Sequence, residues 1–118
     1  MSRTVTIGLA QGSGEPYDAE AGRAASVHAA QEAFGLGADV VVLPELVVPG
    51  YGTDRTRLDE LAEPLDGPTV AAWREVARTE GGLVIGGFCE RDGTHLFNTA
   101  VVVGADGALL HYRKAHLF

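Results

Sequence analysis

The chain has 118 residues, of which 46% are hydrophobic and 21% charged, a balance typical of one globular domain rather than a disordered chain. The formal net charge is −7 with no run of like charges, so nucleic acid and anionic membrane surfaces are poor partners. No apolar stretch approaches the ~20 residues that span a bilayer, and no signal-peptide pattern opens the chain. The single cysteine, Cys89, excludes an intramolecular disulfide framework. These features predict a cytoplasmic protein.

The first third of the chain predicts a strand, a helix and a second strand. Residues 4–10 alternate apolar side chains with smaller or polar ones, which is typical of a strand. Alanines recur every four residues from 18 to about 34, and this spacing predicts a helix with a small-residue face that packs closely on a sheet. Gly35 and Gly37 indicate its C-terminus. Residues 39–43 are a nearly continuous β-branched run, which predicts a strand buried on both faces.

The middle of the chain predicts a loop and two further helices. Residues 46–57 are interpreted as a loop, followed by a short helical patch at 58–61. A longer helix begins near Pro68, because proline is favoured in a first helical turn, and it ends at the glycine pair 81–82. Trp73 and other apolar residues recur at helical spacing in this segment, which predicts a face buried against a sheet.

Three strands complete the predicted order, at 83–88, 96–103 and 108–113. An Asp-Gly pair separates each strand from the next, and Asp-Gly is a strong hairpin signal. We expect the first three strands of the chain to be parallel, through helical crossovers, and the last two to add as antiparallel hairpins. Two helices cover only one face of a five-stranded sheet. The other face therefore needs a partner, and the apolar chain end at 116–118 predicts a cut through a larger domain.

Two charged side chains that follow apolar strands are candidates for a catalytic pair. Glu45 comes directly after Pro44 and the second predicted strand, and Lys114, the only lysine, follows the fifth. Ligand pockets in open α/β sheets form outside the carboxyl ends of the strands. The apolar flanks of Glu45 predict a raised pKa, which suits a general base. Taken singly, each of the two could also be a solvated surface charge.

Other titratable residues carry weaker signals. Cys89 is most simply a small buried hydrophobic residue, and the opposite charges of Glu90 and Arg91 beside it give no clear reason for a low pKa. His111 and His116 could coordinate a metal ion, but no Cys, His or Asp cluster with ligand spacing accompanies them. We therefore expect no metal and no organic cofactor.

Five motifs in chain order resemble the nitrilase superfamily, the carbon–nitrogen hydrolases. They are VVVLPEL at 40–46, PGY at 49–51, FNTA at 97–100, DG at 106–107 and YRKAHL at 112–117. The resemblance implies an α/β fold, namely the N-terminal half of an α-β-β-α sandwich. Such a half contains a mixed sheet of about five strands with helices on one face.

The resemblance also implies a Glu–Lys–Cys mechanism acting on a small amide, nitrile or carbamoyl substrate. By motif, Glu45 matches the general base and Lys114 the residue that stabilises the tetrahedral intermediate. Tyr51 and Tyr112 are candidates for the lining of the substrate pocket. The family's nucleophilic cysteine lies downstream of the lysine, so Cys89 does not receive that role. Residues 1–118 are therefore expected to be an N-terminal part that is inactive as it stands, in a protein that self-associates when complete.

Two other hypotheses stay open at this stage. The chain could be a non-catalytic, truncated paralogue that binds or regulates a full-length partner through its uncovered sheet face. It could also be an unrelated α/β binding domain in which Glu45 and Lys114 are surface charges. The distance between these two side chains distinguishes the last hypothesis from the others, because unrelated surface charges have no reason to meet.

Overall fold

The computed structural model describes residues 2–12 and 15–115. Within these residues the chain forms, in order, β1 (Ile7–Leu9), α1 (Ala19–Gly35), β2 (Val40–Val42), α2 (Arg55–Leu61), α3 (Pro68–Glu80), β3 (Leu83–Asp92), β4 (His95–Gly104) and β5 (Leu109–Arg113). The strands form one sheet in the order β1-β2-β3-β4-β5. Pairing is parallel from β1 to β3 and antiparallel from β3 to β5. The predicted mixed α/β sheet is confirmed.

Local signals explain where the long helices begin and end. Asp18 caps α1, because its carboxylate accepts the N–H of Ala21 at 3.0 Å. Beyond the end of α1, Gly37 adopts a φ of 102°, a conformation that glycine reaches without a side-chain clash. Pro68 is the first residue of α3, and Gly81 ends that helix with a φ of 73°.

Several boundaries differ from the prediction. β1 is confined to Ile7–Leu9. The residue before it, Thr6, exchanges two hydrogen bonds with Asp39 instead. The Thr6 N–H donates to the Asp39 carboxylate at 2.8 Å, and the Thr6 carbonyl accepts the N–H of Asp39 at 2.7 Å. α2 begins at Arg55 rather than at 58, since the Asp54 carboxylate accepts the N–H of Arg57 at 3.2 Å and caps the helix earlier. β3 and β4 run up to their tight turn, where Gly93 has a φ of 61°.

The two long helices cover one face of the sheet, which we call the covered face. Side chains alternate along β3, so Val84 and Phe88 project toward α3. Trp73 of α3 is fully buried there and meets the Phe88 ring edge-on, with centroids 6.4 Å apart. A Cβ at Gly86 would lie 2.6 Å from the Trp73 ring, so only glycine fits beneath it. The indole N–H donates to the Ser26 hydroxyl of α1 at 2.9 Å and joins the two helices.

The opposite face, which we call the open face, is apolar and largely bare in the described chain. Strand alternation and the strand register place on it Ile7, Leu9, Val42, Ile85, Val102, Leu110 and Tyr112. Leu9 is 70% exposed and Leu110 is 69% exposed. The short helix α2 lies on this side only at the far end of β3, where the Leu58 carbonyl is 4.0 Å from the Cys89 sulfur. The expected placement of the long helices on one face is therefore met.

Candidate active site

The site lies where the chain leaves β2. Leu43 and Pro44 follow the strand, and Glu45 comes next. Leu46 then adopts a φ of 48°, a left-handed conformation that costs a leucine roughly 1–2 kcal/mol. Its side chain is buried, and this packing holds the strained turn in place. The sharp turn leaves the Glu45 side chain at the surface beside β3.

Gly87 of β3 allows this turn to lie directly on the strand. A Cβ at Gly87 would stand 2.8 Å from the backbone nitrogen of Leu46 and 3.0 Å from the Cα of Glu45, distances that require a shift of the backbone. The following segment then pairs with β3, because the Cys89 N–H donates to the Val48 carbonyl at 3.0 Å. Glu45 is therefore fixed by backbone contacts on both sides of the turn.

Two side chains from β4 and the end of β5 point at Glu45. The strands are antiparallel, and the N–H of Lys114 donates to the Asn98 carbonyl at 2.9 Å. Cross-strand neighbours of this kind project to the same side of a sheet, here the open face. We call Asn98 and Lys114 the donor pair.

Glu45 accepts hydrogen bonds from both members of the donor pair through one oxygen. Its Oε1 is 2.8 Å from Lys114 Nζ and 2.7 Å from Asn98 Nδ2. The Glu45 side chain is 44% exposed and that of Lys114 34% exposed, so the pair is open to solvent. Two residues 69 positions apart thus meet at hydrogen-bond distance. This geometry contradicts the hypothesis of unrelated surface charges lying far apart.

The pKa of Glu45 is lowered, and the predicted increase is wrong. The hydrogen bond from Lys114 is the main cause, the bond from Asn98 is the second, and desolvation opposes both. Apolar neighbours in sequence do not enclose a side chain that turns toward solvent, so desolvation is the weaker effect. The bond to Glu45 in turn raises the pKa of Lys114. At neutral pH the pair is therefore a carboxylate and an ammonium ion.

A cleft of about 330 Å³ surrounds the pair. Tyr51 from the loop and Arg55 from α2 line it, together with Phe97 of β4. Tyr51 is 56% exposed and therefore available to a ligand. Tyr112, the other tyrosine suggested for the pocket, is not among the residues that line this cleft; it lies opposite Ala100 on the same open face and is 64% exposed.

Cys89 borders the same cleft but is buried in its wall. Desolvation raises the pKa of its thiol, while the charge of Arg91 opposes the increase only in part. A buried, protonated thiol is a poor nucleophile. Its environment agrees with the interpretation of Cys89 as a small hydrophobic residue.

Neither a metal-binding cluster nor a membrane-spanning helix is present in the described residues. No group of three or more His, Cys, Asp or Glu side chains within 2–12 and 15–115 could hold a metal ion. His116, one of the two histidines considered for metal binding, lies outside those residues. In the same part of the chain no helix is long and apolar enough to cross a membrane.

Asn98 is the site residue that sequence reasoning missed. It stands in a resemblance motif, but its role depends on the antiparallel register that places it beside Lys114. The available signal is an amide side chain within a largely apolar strand. Such an amide needs hydrogen-bond partners, and Glu45 is one of them.

A carboxylate and an amine thus meet where strands of an α/β sheet end, the part of such sheets where ligand pockets form. The chain belongs to the carbon–nitrogen hydrolase family, whose model matches residues 6–118. The resemblance seen in the motifs is thereby confirmed.

Individual relatives agree with this assignment. A nitrilase from Pyrococcus abyssi is 43% identical over 90 residues, which cover 75% of this chain and 34% of the nitrilase. Omega-amidase NIT2 of Danio rerio is 44% identical over 90 residues, which cover 75% and 32%. The CN-hydrolase superfamily protein XC1258 from Xanthomonas campestris superposes with a TM-score of 0.85 at 34% identity, covering 99% and 43%. The chain spans about a third of the length of these curated relatives.

Proposed function

We propose that this chain supplies the general base and the intermediate-stabilising lysine of a hydrolase that cleaves an amide, nitrile or carbamoyl substrate. Glu45 is the base and Lys114 the stabiliser. The observation that carries the proposal is the 2.8 Å contact between Glu45 Oε1 and Lys114 Nζ inside a solvent-open cleft. Membership of the carbon–nitrogen hydrolase family supports the reaction class.

The nucleophile in this proposal is a cysteine thiol from outside residues 1–118, because the cysteine within them is buried. Glu45 accepts the thiol proton as the sulfur bonds to the substrate carbon, and Lys114 stabilises the charge that develops on the substrate heteroatom. For an amide, Glu45 then gives the proton to the nitrogen, the C–N bond breaks and a thioester remains. Water attacks the thioester carbon and Glu45 takes a proton from it. The C–S bond then breaks, Glu45 returns the proton to the sulfur, and the carboxylic acid product leaves with the thiol and the Glu45 carboxylate restored.

The electrostatics of the pair set the charge of each partner at the start of this cycle. A lowered pKa keeps Glu45 ionised at neutral pH, which is the form that accepts a proton, and it also makes Glu45 a weaker base than a free glutamate. Protonation of Glu45 removes a negative charge from beside the Lys114 ammonium at the moment when negative charge appears on the substrate. The ammonium then stabilises the charge of the intermediate by electrostatic attraction.

The test is substrate hydrolysis by the complete polypeptide that the gene encodes, with Glu45→Gln and Lys114→Arg compared with the unsubstituted protein. Glu45→Gln removes the proton acceptor, and we expect kcat to fall about 10²- to 10⁴-fold. Glu75→Gln is the matched control, because Glu75 also pairs with a cation, Arg78 at 2.5 Å, but lies exposed on α3. Full activity in both site variants would refute the assigned roles.

A non-catalytic role remains the second candidate, because the bare apolar open face could bind a full-length hydrolase or another copy of the chain. In that case the encoded protein would show no hydrolysis and would co-purify with such a hydrolase. Hydrolysis by the purified protein, abolished by Glu45→Gln, would instead establish the catalytic role. The self-association expected for the complete protein is measured in the same preparation by light scattering.

A further inference from the structure

A second carboxylate, Glu90, lies on the covered face of the sheet and plays no part in the cleft. Its side chain is 2% exposed. Its Oε1 accepts hydrogen bonds from the Thr99 hydroxyl at 2.7 Å and from Arg113 Nε at 3.0 Å. Its Oε2 accepts a hydrogen bond from Arg113 Nη2 at 2.6 Å. Burying an ion pair is costly, and an apolar residue of similar volume often stabilises a protein equally well. Packing therefore does not explain why a charged pair stands here.

The partners of Glu90 are the chain neighbours of the donor pair. Thr99 follows Asn98 in β4, and Arg113 precedes Lys114 at the end of β5. Thr99 and Arg113 are themselves cross-strand partners. Because side chains alternate along a strand, the bonds to Glu90 form on the covered face and the bonds to Glu45 form on the open face. Two carboxylates thus hold the same two dipeptides from opposite sides of the sheet.

Arg113 is fixed by more than one contact. Its Nη2 also donates to an oxygen of Asp92 at 3.0 Å, and its guanidinium carbon lies 3.9 Å from the centroid of the Phe97 ring. The planar guanidinium group therefore has little freedom to rotate. Since Arg113 and Lys114 share one peptide bond, fixing the first also fixes the direction in which the second leaves the strand.

We propose that Glu90 is a positioning residue for the reaction: by holding Thr99 and Arg113 on the covered face, it fixes the donor pair against Glu45. The inference rests on the proposed function of Glu45 and Lys114. It extends that function to a buried carboxylate that does not touch the cleft. Misplacement of a reacting group by about 1 Å costs on the order of 10²-fold in rate, so a remote clamp of this kind affects catalysis measurably.

Glu90→Gln tests the clamp in the complete encoded polypeptide. The substitution places an amide N–H₂ where an oxygen accepted a hydrogen bond from Arg113. One bond is lost, and of its two carboxylate partners the guanidinium group keeps only the exposed Asp92. We expect kcat to fall about 10- to 100-fold with KM nearly unchanged. Arg113→Lys is the second variant, because it keeps the charge but cannot form the same fork of hydrogen bonds. Glu75→Gln again serves as the control carboxylate of an exposed arginine pair.

The pH profile separates positioning from a general loss of stability. The acid limb is the fall of kcat/KM toward low pH as Glu45 becomes protonated. If the donor pair moves away from Glu45, the acid limb shifts to higher pH, because hydrogen bonds from that pair lower the pKa of Glu45. The other titratable groups of the cleft, Tyr51, Arg55 and Cys89, are unchanged in the variant. A protein that is merely less stable keeps its acid limb while losing active molecules.

The proposal is supported if Glu90→Gln or Arg113→Lys lowers kcat and shifts the acid limb to higher pH, while Glu75→Gln does neither. An unshifted acid limb overturns it, and so does failure of both variants to fold, since the pair would then serve stability. Glu45→Gln, measured in parallel, tests the underlying function. If Glu45→Gln is fully active the proposed function itself fails, whereas an inactive Glu45→Gln with a normal Glu90→Gln rejects only the clamp.

Discussion

The two faces of the sheet differ in how far they bury polar and apolar side chains. On the covered face even charged and polar side chains such as Glu63, Glu90 and Thr99 are buried, and each is hydrogen-bonded. Among the described residues no buried side-chain nitrogen or oxygen lacks a partner. On the open face, Leu110 is 69% exposed and the carboxylate of Glu45 is 44% exposed. Helices α1 and α3 thus bury the covered face, whereas the described residues leave much of the open face exposed.

This contrast shows where chemistry can occur. A carboxylate enclosed like Glu90 cannot reach a substrate, so it contributes geometry only. Glu45 has the same kind of two-donor environment but faces a cleft, so it can exchange a proton with a bound molecule. The pKa of each carboxyl is lowered chiefly by a cation, Arg113 for Glu90 and Lys114 for Glu45. Exposure, rather than pKa, therefore distinguishes the candidate base from the buried clamp.

Deleting a large apolar side chain from each face tests whether the difference between the two faces persists in the complete protein, and these substitutions have the largest expected effects. Trp73→Ala removes a fully buried ring and its hydrogen bond to Ser26, and we expect a loss of about 3–5 kcal/mol in the free energy of unfolding. Leu110→Ala is the counterpart on the open face. If that face is bare in the complete protein, the loss is at most about 0.5 kcal/mol.

The Leu110→Ala result also tests the proposed sandwich. A second sheet packed on the open face would bury Leu110, and its truncation would then cost about 2–5 kcal/mol. Urea denaturation of the complete encoded protein measures both variants. We expect the larger value, because the complete carbon–nitrogen hydrolase is proposed to be an α-β-β-α sandwich. A near-neutral Leu110→Ala would contradict that proposal.

A smaller effect is expected where the site turn lies on β3. Gly87→Ala places a Cβ within 3.0 Å of the Glu45 Cα, and relief of this contact must move the turn. Overpacking of this kind costs about 1–3 kcal/mol, and here it also displaces the candidate base. We expect a lower kcat with a modest loss of stability, measured by steady-state kinetics and denaturation.

Gly35→Ala is the matched control for Gly87→Ala. Gly35 ends α1, and a Cβ there would have no heavy-atom neighbour within 4 Å. Its substitution should leave kcat unchanged. If Gly87→Ala behaves like Gly35→Ala, the close contact between β3 and the turn does not position Glu45.

Sequence patterns predicted the parts of this molecule that depend on local chemistry. Capping by Asp18 fixes the start of α1, and an Asp-Gly turn joins β4 to each of its neighbours, so these elements could be anticipated. Trp73 identified the buried face of α3 through its spacing with other apolar residues. Glu45 and Lys114 were found because each follows an apolar strand and matches a family motif.

The remaining features depend on contacts between distant segments. The pKa of Glu45 was predicted in the wrong direction, because the flanking sequence gives its neighbours but not the direction of its side chain. Asn98 was missed since its role arises from the register between β4 and the end of β5. The left-handed Leu46 was also outside prediction, because leucine seldom adopts that conformation. The roles of Tyr51 and Tyr112 stay predictions.

The smallest expected effect concerns Asn98, the second donor to Glu45. Its N–H stabilises the carboxylate form, so Asn98→Ala should raise the pKa of Glu45 toward its ordinary value. A protonated Glu45 cannot accept a proton, and the acid limb of kcat/KM therefore moves to higher pH. The pKa of Glu45 is lower in the folded protein than in the unfolded chain. The bond from Asn98 therefore favours folding at pH values above the ordinary pKa of a glutamate, and this effect is lost as the pH falls through the folded-state pKa.

The size of this pH shift measures how much Asn98 contributes to the low pKa of Glu45 relative to Lys114. Lys114 is the larger cause of the low pKa, so loss of Asn98 should move the acid limb only part of the way and lower kcat by roughly tenfold, about 1.4 kcal/mol. Thr53→Ala is the control, because Thr53 lines the same cleft and makes none of the hydrogen bonds that hold Glu45 in the described structure. An acid limb that stays in place, or moves to lower pH, would show that Asn98 does not act on Glu45 during catalysis. The low pKa would then depend on Lys114 alone, and the register of β4 would matter only for the fold.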